Sequence, residues 1–289
     1  MNKSDLIKGI LVAAIWGVNF SIIKLGLNTI DPFVLAGLRF SLAAIPLIFF
    51  IPKPDVPISA IALYGLLFGV GLWGVVNLGI FLGLSAGVAS LLLQFSAFIT
   101  LLLGYLFFKE LLHLRQYVGM FVSMLGLLFV VQITDGSAPL IGVICVFIAA
   151  TSWAFSNVII KKYQPKNILS FVVWGSIFAP LPLFLMAYIN SGSAVFLDLV
   201  NMGSTGIFSI IFQAYITTLF GYYIWNGLMA KYPVSQVAPL SLLIPIFGLL
   251  GSYVMFGEIA SFEKLVGFAL VLTGLLIFMF SKNKKTNEF

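Results

Sequence analysis

The chain has 289 residues, of which 61% are hydrophobic and only 8% charged, and its net charge is +6. A soluble domain is about half apolar and about a quarter charged, so a water-soluble fold is excluded and lipid is the solvent this chain is built for. The basic residues are scattered over several loops, which excludes a nucleic-acid partner, and one cysteine (Cys145) with one histidine (His113) leaves neither an internal disulfide nor a His/Cys metal cluster.

Crossing the hydrocarbon core takes about 20 apolar residues as a helix. Ten runs qualify: 6–26, 33–52, 58–80, 86–108, 114–133, 139–160, 168–190, 205–230, 234–256 and 263–281. The first run is long and lacks a cleavage-site pattern, so it reads as a retained helix. It carries Trp16, Asn19 and Lys24. Trp16 lies about ten residues in, near the midplane and away from the interfacial belts. The second span carries Arg39. Arg39 and Lys24 both lie toward one end, where they could attract a substrate carboxylate. The other reading is snorkelling or a backbone contact; it is preferred for Lys24 and left open for Arg39.

The third span adds Trp73 and Asn77, and the fourth adds Ser90, Gln94, Ala97 and Gly104 at helical spacing. A mid-membrane amide such as Gln94 needs a partner, either on another helix or on a substrate. Spans five and ten present Gly119, Ser123 and Gly126, and Gly267 and Gly274. They read as packing helices at the edge and as a surface for a homodimer. The sixth span carries Ser152, Trp153, Ser156 and Asn157, and the seventh Pro180 and Pro182. The eighth carries Gln213, Thr217, Thr218, Tyr222, Trp225 and Asn226. The ninth carries Ala238, Pro239, Ser241, Pro245, Gly248 and Ser252. A proline frees the carbonyl one turn earlier, which either meets a substrate or accompanies a fixed kink.

The candidate substrate-binding set is Trp16, Asn19, Arg39, Trp73, Asn77, Gln94, Trp153, Ser156, Tyr222, Trp225, Asn226 and Ser241. Aromatic walls with a few hydrogen-bonding groups suit a small polar organic molecule; the alternative for each residue is a satisfied core position. The acids Asp5, Asp31, Asp55, Glu110, Asp135, Asp198, Glu258, Glu263 and Glu288 all fall in loops, at span ends or in the tails. A proton-driven carrier usually keeps a carboxylate or histidine in the membrane, so facilitated export or exchange is expected. Glu110 and Glu258 are expected to favour the starts of the helices that follow them.

Loop charge gives an orientation. One side collects Lys3, Lys8, Lys53, Lys109, Arg115, Lys161, Lys162, Lys166, Lys231, Lys282, Lys284 and Lys285, and the other only Lys24 and Lys264. By the positive-inside rule both termini face the cytoplasm. The chain also repeats itself. A shift of 137 lays Trp16 on Trp153, Ile22-Ile23 on Ile159-Ile160 and Lys24 on Lys161. A shift of 148 lays Tyr105 on Tyr253, Glu110 on Glu258, Gly119 on Gly267 and Gly126-Leu127-Leu128 on Gly274-Leu275-Leu276. A one-residue slip brings Trp73 onto Tyr222 and Asn77 onto Asn226. The halves, 1–134 and 135–289, hold five spans each, so the second enters the membrane from the opposite side. The expected fold is an all-α membrane protein of ten transmembrane helices in two inverted five-helix repeats, with a site between the halves near mid-membrane.

Four stretches carry a family resemblance: Trp16-Gly17-Val18-Asn19-Phe20 with Lys24, Leu35-Ala36-Gly37-Leu38-Arg39-Phe40, Gly221-Tyr222-Tyr223-Ile224-Trp225, and Val237-Ala238-Pro239-Leu240-Ser241-Leu242-Leu243-Ile244-Pro245. Through them the chain resembles the EamA family of the drug/metabolite transporter superfamily along nearly its whole length. The Ala-Gly-Leu-Arg-Phe and Ala-Pro-Leu-Ser-Leu-Leu runs are most similar to those of members that export O-acetylserine and cysteine. The resemblance implies a ten-helix carrier in the bacterial inner membrane with a central cavity, exporting small amino-acid metabolites. Export of drugs or nucleobase-like metabolites is the rival within the class. No cofactor is expected. A membrane enzyme would need paired acids, a histidine cluster or an activated nucleophile, and a channel a filter or charged ring; the sequence has none of these.

Overall fold

The computed structural model describes residues 1–109, 113–131, 136–232 and 237–279. Glu110, Asp135, Lys282, Lys284, Lys285, Glu288 and the division at 134/135 lie outside them, as do the side chains of Asp198, Ala238 and Pro239. Every regular element among the described residues is helical. Among the described residues seven helices are long and apolar enough to cross a membrane: α1 (Lys3–Leu27), α2 (Pro32–Phe49), α3 (Ile58–Phe81), α4 (Ala86–Phe108), α6 (Leu140–Tyr163), α7 (Ile168–Ser191) and α8 (Gly203–Met229). Two shorter apolar helices are α5 (Leu114–Val130) and α9 (Leu240–Phe256), and α10 spans Phe262–Met279.

Local chemistry sets the ends. The side chains of Asn2, Asp31, Ser85 and Asn167 accept from backbone amides at the starts of α1, α2, α4 and α7, and Pro32 opens α2. Left-handed residues end α4, α6 and α9: Lys109 (φ 55°), Gln164 (φ 41°) and Gly257 (φ 65°). α7 breaks between Ser176 and Pro180, where the proline starts its second half without needing a donor. α3 and α8 each contain a nine-residue π-helical stretch, Leu66–Gly74 and Phe212–Phe220. The π turn is rare and concentrates at functional sites.

The helices pack in reciprocal pairs. α1 lies against α8 and α9, and α6 lies against α3 and α4; α2 meets α8, and α7 meets α3. α2 also packs on α7, α4 on α9 and α5 on α10. The α5/α10 contact is close. A Cβ on Gly119 would sit 2.5 Å from the Gly274 carbonyl, and one on Gly126 2.7 Å from the Gly267 carbonyl. Ser123 Oγ donates to the Val271 carbonyl at 3.0 Å between them. The glycine faces of these two packing helices are thus turned toward each other within the chain, because only glycine lets the two backbones meet at that spacing. Large apolar side chains such as Phe49, Phe50, Leu181 and Val254 stand on the outside of the bundle, as lipid contact requires.

α1 is tied at both ends. Asp5 accepts from Lys231 Nζ (2.7 Å), Tyr232 Oη (2.8 Å) and Lys8 Nζ (3.0 Å), and its carboxylate pushes the Lys231 pKa up from its ordinary value. At the other end Lys24 pairs with Glu258, which also accepts from Ser252 Oγ. Lys24 is therefore held by a carboxylate and does not reach for headgroups. Glu258 is engaged there, and the start of α10 is capped instead by Ser261 Oγ, which accepts from the Lys264 amide at 3.3 Å.

Candidate substrate site

Four helices bring polar side chains together inside the bundle. α2 supplies Arg39, which is 0% exposed. Its Nε donates to Thr218 Oγ1 of α8 at 3.0 Å, and its guanidinium carbon lies 4.0 Å from the centroid of the Trp73 ring of α3. α1 supplies Asn19, whose Oδ1 accepts from Thr217 Oγ1 at 2.9 Å, and Trp16, whose Nε1 donates to the Thr217 carbonyl at 3.0 Å. Trp73 comes from the π-helical stretch of α3, and Thr217 and Thr218 from that of α8. Thr218 Oγ1 donates to the carbonyl of Gln213, five residues back, at 2.8 Å, which follows the wider turn.

Toward the Leu27 end of α1 the cluster continues through Gln213 and Asn77. Gln213 Nε2 donates to Ser209 Oγ at 2.9 Å, and Asn77 Nδ2 donates to the Pro32 carbonyl at 3.1 Å. Toward the Lys3 end it becomes aromatic. The Trp16 ring lies 5.2 Å from both Tyr222 and Trp225, and Phe68 meets Tyr222 edge-on at 5.7 Å. Tyr64 stacks on Phe68 at 5.2 Å.

Six buried polar atoms of this cluster have no hydrogen-bond partner among the described residues: Arg39 Nη1 and Nη2, Asn19 Nδ2, Trp73 Nε1, Asn77 Oδ1 and Gln213 Oε1. A buried polar group left unpaired costs about 1–3 kcal/mol, more when charged. Packing alone would select against such a concentration, which makes these atoms candidates for meeting a ligand's polar groups. Among the described residues no carboxylate contacts Arg39; Asp5, Asp31 and Glu258 are engaged at helix ends. The guanidinium therefore stands as a buried cation with two free donors side by side, the arrangement that matches a carboxylate.

The structure thus brings Arg39 onto Trp73 and Trp16 onto Tyr222 and Trp225, and the adjacent Thr217 and Thr218 link Trp16 and Asn19 to Arg39. Asn77 lies one turn beyond Trp73, and Asn226 one turn beyond Tyr222 with its Nδ2 also unpaired. Gln94 and Ser241 meet each other at the α4/α9 contact. Pro245 has no N–H to give to the carbonyl four residues back, and Gln94 Nε2 donates to that Ser241 carbonyl at 3.1 Å. Ser156 Oγ donates to the Ser152 carbonyl of its own helix at 2.9 Å, and Trp153 packs half-buried against the core. Among the described residues neither shares a hydrogen bond or ring contact with the Arg39 cluster. Gln213, Thr217 and Thr218 stood out in the sequence only as polar residues of one span. Tyr64 and Phe68 gave no signal there, since aromatic residues are plentiful in every apolar run.

A buried polar cluster inside a bundle of apolar helices is what a membrane carrier of small polar molecules requires. The sequence profile described as the EamA-like transporter family matches residues 4–132 and 140–280, and the chain belongs to that family. It is a multi-pass membrane transporter and not an enzyme. The chain is 36% identical over 287 residues to a protein of Escherichia coli K12 named "Probable amino-acid metabolite efflux pump", covering 97% of this chain and 96% of that one. A protein of the same name from Salmonella typhimurium matches at 36% with the same coverage. An uncharacterized transporter of Archaeoglobus fulgidus is 30% identical over 284 residues, covering 92% of this chain and 95% of its own. A solved crystal structure superposes with a TM-score of 0.61 at 14% identity, covering 96% of this chain and 98% of that one, which shows a shared fold.

Proposed function

We propose that this protein exports small amino-acid metabolites, such as cysteine, O-acetylserine or related amino acids, from the cytoplasm by alternating access. The observation that carries the reading is Arg39: a fully buried guanidinium, oriented by Thr218 and Trp73, with Nη1 and Nη2 unpaired. A substrate carboxylate completes it. The names of the two enterobacterial relatives support the substrate class. The rival, export of drugs or nucleobase-like metabolites, is favoured by the stacking surface of Trp16, Tyr222 and Trp225, but leaves the guanidinium without a counter-charge.

The carrier reading includes ten spans in two inverted halves, 1–134 and 135–289, in the bacterial inner membrane with both termini cytoplasmic. The reciprocal packing of α1 on α8 and α9 and of α6 on α3 and α4 supports it. So does the α5/α10 contact. The 148-residue shift carries Gly119 to Gly267 and Gly126 to Gly274, so the pairs Gly119/Gly274 and Gly126/Gly267 exchange under it. A two-fold axis between antiparallel helices produces that exchange. The twin π-helical stretches and the two separate profile matches agree. Access then alternates as the ties at the two ends of α1 open in turn: Lys24–Glu258 on the external side and Asp5–Lys231 on the cytoplasmic side.

The test is counterflow in proteoliposomes with labelled cysteine, O-acetylserine, other amino acids and a cationic dye. Exchange of the amino acids supports the reading. Movement of the dye without amino-acid exchange overturns it. Repeating the assay with and without a pH gradient tests the uncoupled mechanism, which predicts no strong dependence.

A further inference from the structure

The six unpaired atoms also carry information about net charge. Resting on the carboxylate reading of Arg39, we infer that the species this site carries best is a monoanion: a carboxylate whose other polar group is uncharged, as in an N-acylated amino acid. Its export is then driven by the membrane potential.

Four of the six atoms are donors: Arg39 Nη1 and Nη2, Asn19 Nδ2 and Trp73 Nε1. The two Arg39 nitrogens form the fork that holds one carboxylate, and Asn19 and Trp73 add neutral donors to the same cluster. The other two, Asn77 Oδ1 and Gln213 Oε1, are neutral amide oxygens. They accept readily from a hydroxyl or an amide N–H. Among the described residues an ammonium placed there would meet no carboxylate: Asp5 is engaged with Lys231 and Lys8, Asp31 with the Phe33 and Val34 amides and Glu258 with Lys24, and Asp55 and Glu263 are exposed. With a zwitterion bound, the closed site keeps the charge of Arg39. With a monoanion bound, it is neutral. An unpaired charge out of water is costly and a paired one far less so, so the closed form that the carrier must pass through is reached most easily with a monoanion aboard. Each cycle in which the carrier returns empty then moves one negative charge outward, whereas exchange of one monoanion for another moves none. An inside-negative potential of about 100 mV supports an outward gradient of about fifty-fold for one charge, with no proton needed and no membrane carboxylate to carry one.

The experiment uses three labelled probes that share the S-methylcysteine skeleton in wild-type proteoliposomes: N-acetyl-S-methylcysteine (monoanion), S-methylcysteine (zwitterion) and N-acetyl-S-methylcysteine amide (neutral, without carboxylate). Valinomycin with a potassium gradient sets the interior at zero or at about −100 mV. The inference expects efflux of the monoanion about tenfold faster than that of the zwitterion, a several-fold rise in monoanion efflux at the negative interior, and no movement of the amide. Zwitterion efflux as fast as the monoanion's, or monoanion efflux indifferent to potential, overturns the inference and leaves amino-acid export standing; the ammonium would then rest on the faces of Trp16 and Tyr222. Movement of the amide as fast as the monoanion, or of none of the three, overturns both. Arg39→Lys, which keeps the charge and drops the paired donors, is expected to keep the potential dependence at a lowered rate. Wild-type protein alone decides the outcome if a variant fails to insert.

Discussion

Arg39 and Gln94 are both polar residues in mid-helix, yet their surroundings assign them different work. Arg39 has one of its three nitrogens satisfied, by Thr218, and an aromatic face under the guanidinium. Arg39→Lys retains the charge but loses the fork, so the KM for a carboxylate substrate should rise about tenfold in proteoliposome uptake with the variant still inserted; an unchanged KM would remove Arg39 from the site. Gln94 instead supplies a donor to the Ser241 carbonyl, which Pro245 cannot serve. Interhelical hydrogen bonds in membranes average about 0.6 kcal/mol and reach about 1.7. Gln94→Ala should therefore lower the melting temperature in detergent modestly and leave KM alone, and a raised KM at unchanged stability would return Gln94 to the site. The sequence identifies both residues as unusual, since amides and guanidinium groups are rare in lipid. It could not separate them, because the partner of each lies on a helix more than a hundred residues away.

At the scale of helices, spans and turn chemistry were readable from apolar runs and capping residues, and observed ends fall within a few residues of expectation for most of them. The π-helical stretches of α3 and α8 were not readable, since an apolar run has the same composition whether its carbonyls bond four or five residues on. They matter because Trp73, Thr217 and Thr218 stand on them. The glycine pattern of α5 and α10 was legible, but not which surface it faced. Gly119→Leu forces a side chain into a backbone approach of 2.5 Å and should destabilise the protein by about 1–3 kcal/mol, read as a lowered melting temperature in detergent; stability unchanged by the leucine would mean α5 and α10 are not in contact there. The tie between Lys24 and Glu258 closes one end of α1 against α9. Lys24→Ala should open that end, so a cysteine at Ser252 reacts several-fold faster with a membrane-impermeant maleimide in a Cys145→Ala background. Equal labelling rates would show that the ion pair does not govern access.

For the whole molecule, the repeat, the charge bias and the reciprocal packing all support the proposal of two halves facing opposite ways. Topology can be read directly, since the one cysteine, Cys145, is buried and gives little background. Asp55→Cys and Ser193→Cys, both at exposed positions, should label only from the cytoplasmic and only from the external face respectively; both labelling from one face would dissolve the inverted arrangement. The halves are not chemically equal. The 137-residue shift lays Arg39 on Ser176, so the guanidinium is present once and the site is polar on one side and aromatic on the other. That asymmetry suits a substrate with distinct ends, and it was partly legible from the mismatched pairs of the repeat. The pivotal proposed contact is that between the substrate carboxylate and Arg39 in the closed site. Counterflow of labelled cysteine in proteoliposomes, competed by unlabelled O-acetylserine or by its carboxamide, tests it most directly. The account predicts competition by the acid alone and exchange at the level of protein-free liposomes for inserted Arg39→Gln. Equal competition by the amide, or wild-type exchange by Arg39→Gln, would contradict it.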